Sequence, residues 1–123
     1  MLEKRVVRVA VVDDHPLFRK CVRDVLSQDP HILVVCEGGS ADEALEIARS
    51  VPVDLMLLDV SMPGSGLEAA RSITKECPAI RVVMLSSSER QEDISDALLA
   101  GAKGYIIKGI RGPDLIGIVR SIA

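Results

Sequence analysis

The sequence predicts an α/β domain built on a parallel sheet with helices on both faces. Three observations carry this. Short β-branched or leucine-rich runs alternate with amphipathic stretches from one end of the chain to the other. Turn signals fall between them. Aromatic residues are nearly absent, one Phe, one Tyr and no Trp, so Val, Ile, Leu and Ala must fill the core.

The first run, "VVRVAVV" (6–12), is almost continuously apolar, as in a strand covered on both faces. Leu17, Phe18, Cys21, Val22, Val25 and Leu26 then recur at helical spacing, and Pro16 suits a first helical turn, where its missing N–H costs nothing. "HILVVCE" (31–37) reads as a second strand. In "SADEALEIARS" (40–50), Ser40 stands three residues before Glu43, the spacing of a capping box. "VDLMLLDV" (53–60) is a third strand, followed by a Gly-rich turn and a helix over 67–76. "AIRVVMLS" (79–86) is a fourth strand, before a helix over 91–100 that stops at Gly101. "KGYIIK" (103–108) is a short fifth strand, and a last helix runs from about Pro113 with Leu115, Ile118, Val119 and Ile122 on one stripe. Strict β–α alternation with right-handed crossovers implies a parallel, doubly wound sheet.

The 123 residues suit a single domain spanning 1–123. The chain stops within two residues of the last apolar position of its final helix, as expected of the N-terminal part of a longer protein. A net charge of −3 and a pI near 5.3 argue against a nucleic-acid surface, which needs a basic stripe. Cys21, Cys36 and Cys77 are odd in number, lack metal-ligand spacing and sit in apolar patterns, so they are expected to be small core residues in a reducing cytoplasm. No run approaches the roughly 18–20 apolar residues of a membrane span.

In such a sheet, ligands bind beyond the carboxyl ends of the strands. Asp13 and Asp14 follow the first apolar run, Asp59 ends the third, Ser86 ends the fourth and Lys108 follows the fifth. The second offers only Glu37 and a Gly-Gly turn. Each residue alone has a dull reading as a turn former, a cap or a solvated charge. Together they place three carboxylates, a hydroxyl and an ammonium on one edge. Clustered carboxylates raise one another's pKa unless a cation joins them, and an oxygen-only ligand set suits Mg²⁺, or Mn²⁺ in its place. A Lys and a Ser opposite the cation would cradle a phosphoryl group, leaving Asp59 as the carboxylate nucleophile. His15, beside Pro16, is expected to help start the first helix rather than to bind metal.

"VAVVDDHP", "DLMLLDVSMPG", "VVMLS" and "AGAKGYIIKG" fall in the order and spacing of the receiver domain of bacterial two-component response regulators, which the chain closely resembles over essentially its whole length. The resemblance implies a flavodoxin-like fold of strand order 2-1-3-4-5. It implies that Asp59 accepts a phosphoryl group from a sensor histidine kinase or phosphotransfer protein. Asp14 and Asp59 would bind Mg²⁺ directly with the backbone carbonyl of Ser61, and Asp13 through a water. Lys108 would contact the phosphoryl oxygens, while Ser86 and Tyr105 would be the switch residues biasing the face of helix four, strand five and helix five. "DDHPLFR" and "SMPG" resemble the LuxR-type (NarL/FixJ-like) subfamily, which implies a C-terminal helix-turn-helix DNA-binding output and a homodimer on phosphorylation. The last helix or the helix-four face, with Ile94, Leu98 and Ile110, is the expected contact. Two departures stand out: Ser87 where a small Ala or Gly is commoner, and a turn "MPGSGLE" one residue shorter than the frequent form.

The residues present fit two other classes poorly. A metal phosphoesterase beginning "DDH" needs further His and Asp ligands, and His31 starts a strand at the wrong end. The D-x-D of haloacid-dehalogenase-type phosphatases is absent, since Val60 and Ser61 follow Asp59. A stand-alone receiver or phosphorylation-independent adaptor usually lacks the acceptor or the lysine, and both are present. The expectation is therefore a signalling phosphoacceptor, not an enzyme that turns over a substrate.

Overall fold

The computed structural model describes residues 6–123. Five strands, β1 (Val7–Val12), β2 (Ile32–Gly38), β3 (Leu55–Asp59), β4 (Arg81–Ser86) and β5 (Gly104–Ile107), alternate with five helices. These are α1 (Pro16–Leu26), α2 (Ala41–Ser50), α3 (Gly66–Glu76), α4 (Gln91–Leu99) and α5 (Gly112–Ile122). The strands pair in parallel in the order β2-β1-β3-β4-β5, the flavodoxin-like order expected. Each expected element is present, with ends moved by one or two residues.

Pleating divides the apolar strands between two half-cores. Ala10, Val12, Met56, Leu58, Val82 and Met84 face α2, α3 and α4, meeting Ala44, Ile47, Ala70, Ile73 and Ala97. Val9, Val11, Leu55, Leu57, Val83 and Leu85 face the other way, against Val22, Leu26, Leu115 and Val119 of α1 and α5. Small alanines on α2, α3 and α4 let those helices sit close to the sheet without aromatic filler. The Ser40 cap is present: its hydroxyl accepts from Glu43 N at 3.2 Å, while the Glu43 carboxylate takes the N–H of Gly39 rather than that of Ser40.

The chain leaves β1 for the outer strand β2, then crosses back to β3 on the other side of β1. The switch point therefore lies between the carboxyl ends of β1 and β3, where an α/β sheet opens a crevice. Val12 pairs with Leu58, so Asp13 and Asp59 stand level at that opening.

Two sequence readings need correction here. Leu17 is 82% exposed and Cys21 is exposed, so the core stripe of α1 is carried by Val22 and Leu26, with Phe18 and Val25 packed at its margin. Leu17 and Cys21 instead line the surface beside Phe18, Ser87 and Lys108 at the mouth of the crevice. Cys36 and Cys77 are half-buried rather than core residues: Cys36 lies on edge strand β2, and Cys77 Sγ reaches the carbonyl of Ala48 at 3.5 Å.

Candidate functional site

Asp13 and Asp59 are both fully buried, one just past β1 and the other closing β3. Asp13 is held by its backbone: its N–H donates to the Gly38 carbonyl at 2.9 Å, and its own carbonyl accepts from Arg19 Nη1 at 2.7 Å. Asp59 is held by the turn that follows. Ser61 donates to Asp59 Oδ1 through its backbone N–H at 3.2 Å and its hydroxyl at 3.3 Å. That turn is tight. Gly64 and Ser65 take positive φ of 85° and 70°, and Gly66 N–H donates to the Val60 carbonyl at 3.1 Å. The short "MPGSGLE" loop thus closes through left-handed backbone at two consecutive residues.

Lys108 reaches both carboxylates from the end of β5, with Nζ 2.8 Å from Asp13 Oδ2 and 3.3 Å from Asp59 Oδ2. Its backbone N–H donates to the Ser86 carbonyl at 2.9 Å, which fixes the stem from which it reaches. The Phe18 ring lies beneath the ammonium, 4.9 Å from Nζ to centroid, close enough for a cation–π contribution. Asp14 is half-buried at the rim.

Ser86 is buried at the end of β4, and its hydroxyl accepts from the Ser88 N–H at 3.0 Å. The Tyr105 hydroxyl donates to the Ser88 carbonyl at 2.8 Å, and the Ser88 hydroxyl meets Asp93 of α4. Ser86, Tyr105 and α4 are thus joined through one residue, Ser88. Ser87 is exposed beside Lys108, Phe18 and His15 at the mouth of the site.

His15 starts α1 as expected: it is the N-cap residue with Pro16 following, and its carbonyl accepts from the Arg19 N–H at 3.0 Å, but its side chain makes no capping hydrogen bond. Instead the ring turns into the carboxylates, with Nδ1 2.9 Å from Asp13 Oδ1, 3.1 Å from Asp14 Oδ1 and 3.9 Å from Asp59 Oδ2. The physical reason is geometric: the His15 N–H already donates to Asp13 Oδ1 at 2.8 Å, which aims the side chain at the acidic cluster. The other histidine, His31, immediately precedes β2 at the opposite, N-terminal end of the sheet.

Glu37, read as an outlying group, is the anchor of a clamp. It takes Arg19 Nε at 3.2 Å and Arg23 Nη1 at 2.8 Å, tying α1 to β2 and holding Arg19 on the Asp13 carbonyl. The signal for Arg19 was present in the sequence as a charged residue one turn inside α1, next to its apolar margin.

The charges set the protonation of the cluster. Burial pushes the Asp13 carboxyl up, but Lys108 and the two His15 hydrogen bonds outweigh it and hold Asp13 below the ordinary carboxylate range. For Asp59, burial together with the neighbouring Asp13 charge outweighs Ser61 and Lys108, and its pKa lies above the ordinary value. Burial pulls Lys108 down, yet the two aspartates more than restore it and leave it raised.

One oxygen on each of Asp13, Asp14 and Asp59 is buried without a hydrogen-bond donor in good geometry. Donor atoms of Asp13, Asp14, His15 and Asp59 all lie within 4.8 Å of one another. Three converging carboxylates with a single ammonium between two of them leave negative charge that a divalent cation would neutralise, so the residues present fit one.

The response regulator receiver domain family matches residues 9–120. The chain is 38% identical over 117 residues to the DNA-binding transcriptional activator DevR/DosR of Mycobacterium tuberculosis, covering 94% of this chain and 54% of the relative. It is 36% identical over 116 residues to the nitrate/nitrite response regulator NarL of Escherichia coli, with the same two coverages of 94% and 54%. The chain spans about half the length of the curated relatives it matches. Among solved structures it resembles the signal receiver domain assigned to NarL of Mycobacterium tuberculosis, with a TM-score of 0.91, 33% identity and 95% of each chain covered. A LuxR-family two-component response regulator from Aurantimonas superposes with a TM-score of 0.90 and 30% identity, over 95% of this chain and 84% of that one. With a family match over residues 9–120, these identities and the shared fold, the chain belongs to the response regulator receiver domain family, among receivers of the LuxR type.

Proposed function

We propose that Asp59 is the phosphoacceptor of this receiver, that Lys108 and Ser86 bind the transferred group, and that Asp13, Asp14 and Asp59, with the Ser61 carbonyl, hold Mg²⁺ or Mn²⁺. The observation that carries this reading is the buried Asp59 oxygen Oδ2, which lacks a well-aligned donor and lies 3.3 Å from the Lys108 ammonium. In the transfer, an Asp59 oxygen forms the new O–P bond while the P–N bond of a donor phosphohistidine breaks. The departing imidazole keeps the electron pair and takes up a proton. A bound cation supplies charge neutralisation for the phosphoryl oxygens and the carboxylates.

This chain's residues do the rest. Lys108, shared between two aspartates, is placed to neutralise a phosphoryl oxygen, and its contact with Asp13 keeps it poised when no phosphate is present. The Ser86 hydroxyl must exchange its contact with Ser88 N–H for one to the phosphate. Because the Tyr105 hydroxyl is bonded to the Ser88 carbonyl, that exchange would reach β5 and α4. The exposed apolar residues of α4, Leu98 and Leu99, with the half-buried Ile94 and Ile110, support a homodimer through that face. Likeness to DNA-binding relatives of about twice its length supports a regulatory role upstream of a helix-turn-helix output, in the cytoplasm, with a sensor histidine kinase or phosphotransfer protein as donor. Among the described residues no helix is long and apolar enough to cross a membrane.

The test is mass spectrometry after incubation with acetyl phosphate and Mg²⁺. The expected outcome is a single gain of about 80 Da, the mass of one phosphoryl group, that disappears on chelation of Mg²⁺ and in Asp59→Asn. Labelling that persists in Asp59→Asn would overturn the assignment.

A further inference from the structure

We infer that Phe18 is the positioning residue of the Lys108 ammonium: the face of its ring keeps Nζ at the crevice, ready for a phosphoryl oxygen, without neutralising its charge. The inference rests on the proposed role of Lys108 and adds to it the side chain that aims it.

The aspartates alone do not aim this lysine. Nζ lies 2.8 Å from Asp13 Oδ2 and 3.3 Å from Asp59 Oδ2, yet neither oxygen receives a well-aligned N–H. Ion pairs of that kind set how near the ammonium stays and only weakly which way it points. The four-carbon stem is flexible and adds little restraint of its own. A further contact is made by the Phe18 ring, whose centroid stands 4.9 Å from Nζ. That is inside the range over which a ring face attracts a cation.

The ring is itself held. Phe18 lies in the first turn of α1 and packs at the margin of the half-core formed with Val22 and Leu26. Arg19 and Arg23 tie the same helix to Glu37 of β2. Composition points the same way. The core is aliphatic throughout and the chain has one Phe, so a ring is not needed here as ordinary filler. Leucine would fill that margin and offer no negative face.

A ring face suits a lysine that must change partners. Another carboxylate in that place would compete with a phosphoryl oxygen for the ammonium, whereas a ring attracts the charge and leaves its N–H groups free. Lys108 is only 15% exposed, so the contact is partly desolvated, where such attraction is stronger. Phe18 also stands at the open mouth beside Leu17, Cys21 and Ser87. Without its ring the ammonium would have water on that side and would swing outward.

The experiment uses the lone Phe. Residue-specific incorporation of mono-, di- and trifluorophenylalanine alters this ring and no other. Fluorine withdraws electron density from the ring face while changing its size little, so the series grades the cation attraction at nearly constant packing. The rate of labelling by acetyl phosphate is measured at saturating Mg²⁺, with urea melts to check that the fold is unchanged. The expected result is a stepwise fall, reaching about threefold to tenfold for the trifluoro ring and for Phe18→Leu. The fluorine NMR resonance of the monofluoro ring should also move in Lys108→Met, which keeps an unbranched chain and removes the charge. A rate that stays flat across the fluorinated series would overturn the inference, even with a slow Phe18→Leu, because that loss would then be one of packing. A fluorine resonance indifferent to Lys108→Met would overturn it as well. Labelling of Lys108→Met at the unmodified rate would instead overturn the proposed role of Lys108 itself.

Discussion

Lys108 sits closer to Asp13, at 2.8 Å, than to Asp59, at 3.3 Å. Its shorter contact is thus with the aspartate that is not the proposed acceptor. That asymmetry leaves Asp59 the less compensated of two buried charges. A buried carboxylate with an orphaned oxygen costs the fold stability when no cation is present, and it is also the group most ready to accept an electrophile.

The first prediction follows from that cost. With its folded pKa above the ordinary value of 3.8, Asp59 binds its proton more tightly in the native state than in the unfolded chain. Its contribution to stability is therefore greatest below the unfolded pKa and is lost as pH rises through the folded one. Asn carries no such charge. In metal-free buffer at neutral pH, Asp59→Asn should be more stable by on the order of 1 kcal/mol, the usual size of a single-site effect. Thermal melts in EDTA should show the gap shrinking as pH is lowered into the carboxylate range. Added Mg²⁺ should shrink it too, by stabilising only the unmodified protein. A lower melting temperature for Asp59→Asn in EDTA at neutral pH would contradict this.

Removing the lysine should act in the opposite sense. Lys108→Ala leaves Asp13 and Asp59 facing each other without a cation. Loss of one partner from a buried ion pair costs up to about 3 kcal/mol in a site of this partial exposure. Urea unfolding in EDTA should show that loss, and Mg²⁺ should recover part of it. Phosphoryl labelling by acetyl phosphate should fall at least about tenfold even when Mg²⁺ is saturating, since loss of one charge-stabilising donor typically costs more than that.

Tyr105 offers a separable test of the link between β5 and α4. Tyr105→Phe deletes the donor to the Ser88 carbonyl and nothing else that the ring buries. The expected cost is about 1 kcal/mol, the net worth of one hydrogen bond. Amide hydrogen exchange should quicken across Ser88 to Asp93, where Ser88 also holds Ser86 and α4, while labelling of Asp59 stays intact. Unchanged exchange in that segment would show that Ser88 is held by its other contacts alone.

The elements of this fold were legible because each is coded locally. Val9 to Val12 and Leu55 to Leu58 are apolar on both faces, which only a strand covered by helices on both sides requires. The site residues Asp13, Asp59, Ser86 and Lys108 were legible for a related reason: parallel strands bring all their carboxyl ends to one edge, so position in sequence becomes position in space. What was not legible depends on side-chain direction. Nothing local distinguishes a His15 that caps a helix from one that turns back onto Asp13. Leu17 and Cys21 have core-like spacing, but they are exposed beside Lys108 at the mouth of the site. Glu37 looked idle because both of its partners, Arg19 and Arg23, lie on another element.

The shortened loop after Asp59 makes the sharpest structural prediction. A Cβ placed on Gly66 would lie 1.9 Å from the Asp59 carbonyl oxygen and 3.0 Å from Val60 Cα, and both are backbone, which cannot rotate aside. Gly66→Ala must therefore push α3 away from the end of β3 or drag Asp59 with it. The expected loss is about 3 kcal/mol, the upper range for overpacking a well-filled position. Labelling should also fall, because the Ser61 contacts that orient the Asp59 carboxylate belong to the same turn. Gly117 is the internal control. It lies within α5 with nothing within 4 Å of its would-be Cβ, so Gly117→Ala should stabilise by about 0.5–1 kcal/mol through helix propensity alone. Urea denaturation of the two variants side by side separates the close approach of backbone at Gly66 from any general effect of replacing a glycine.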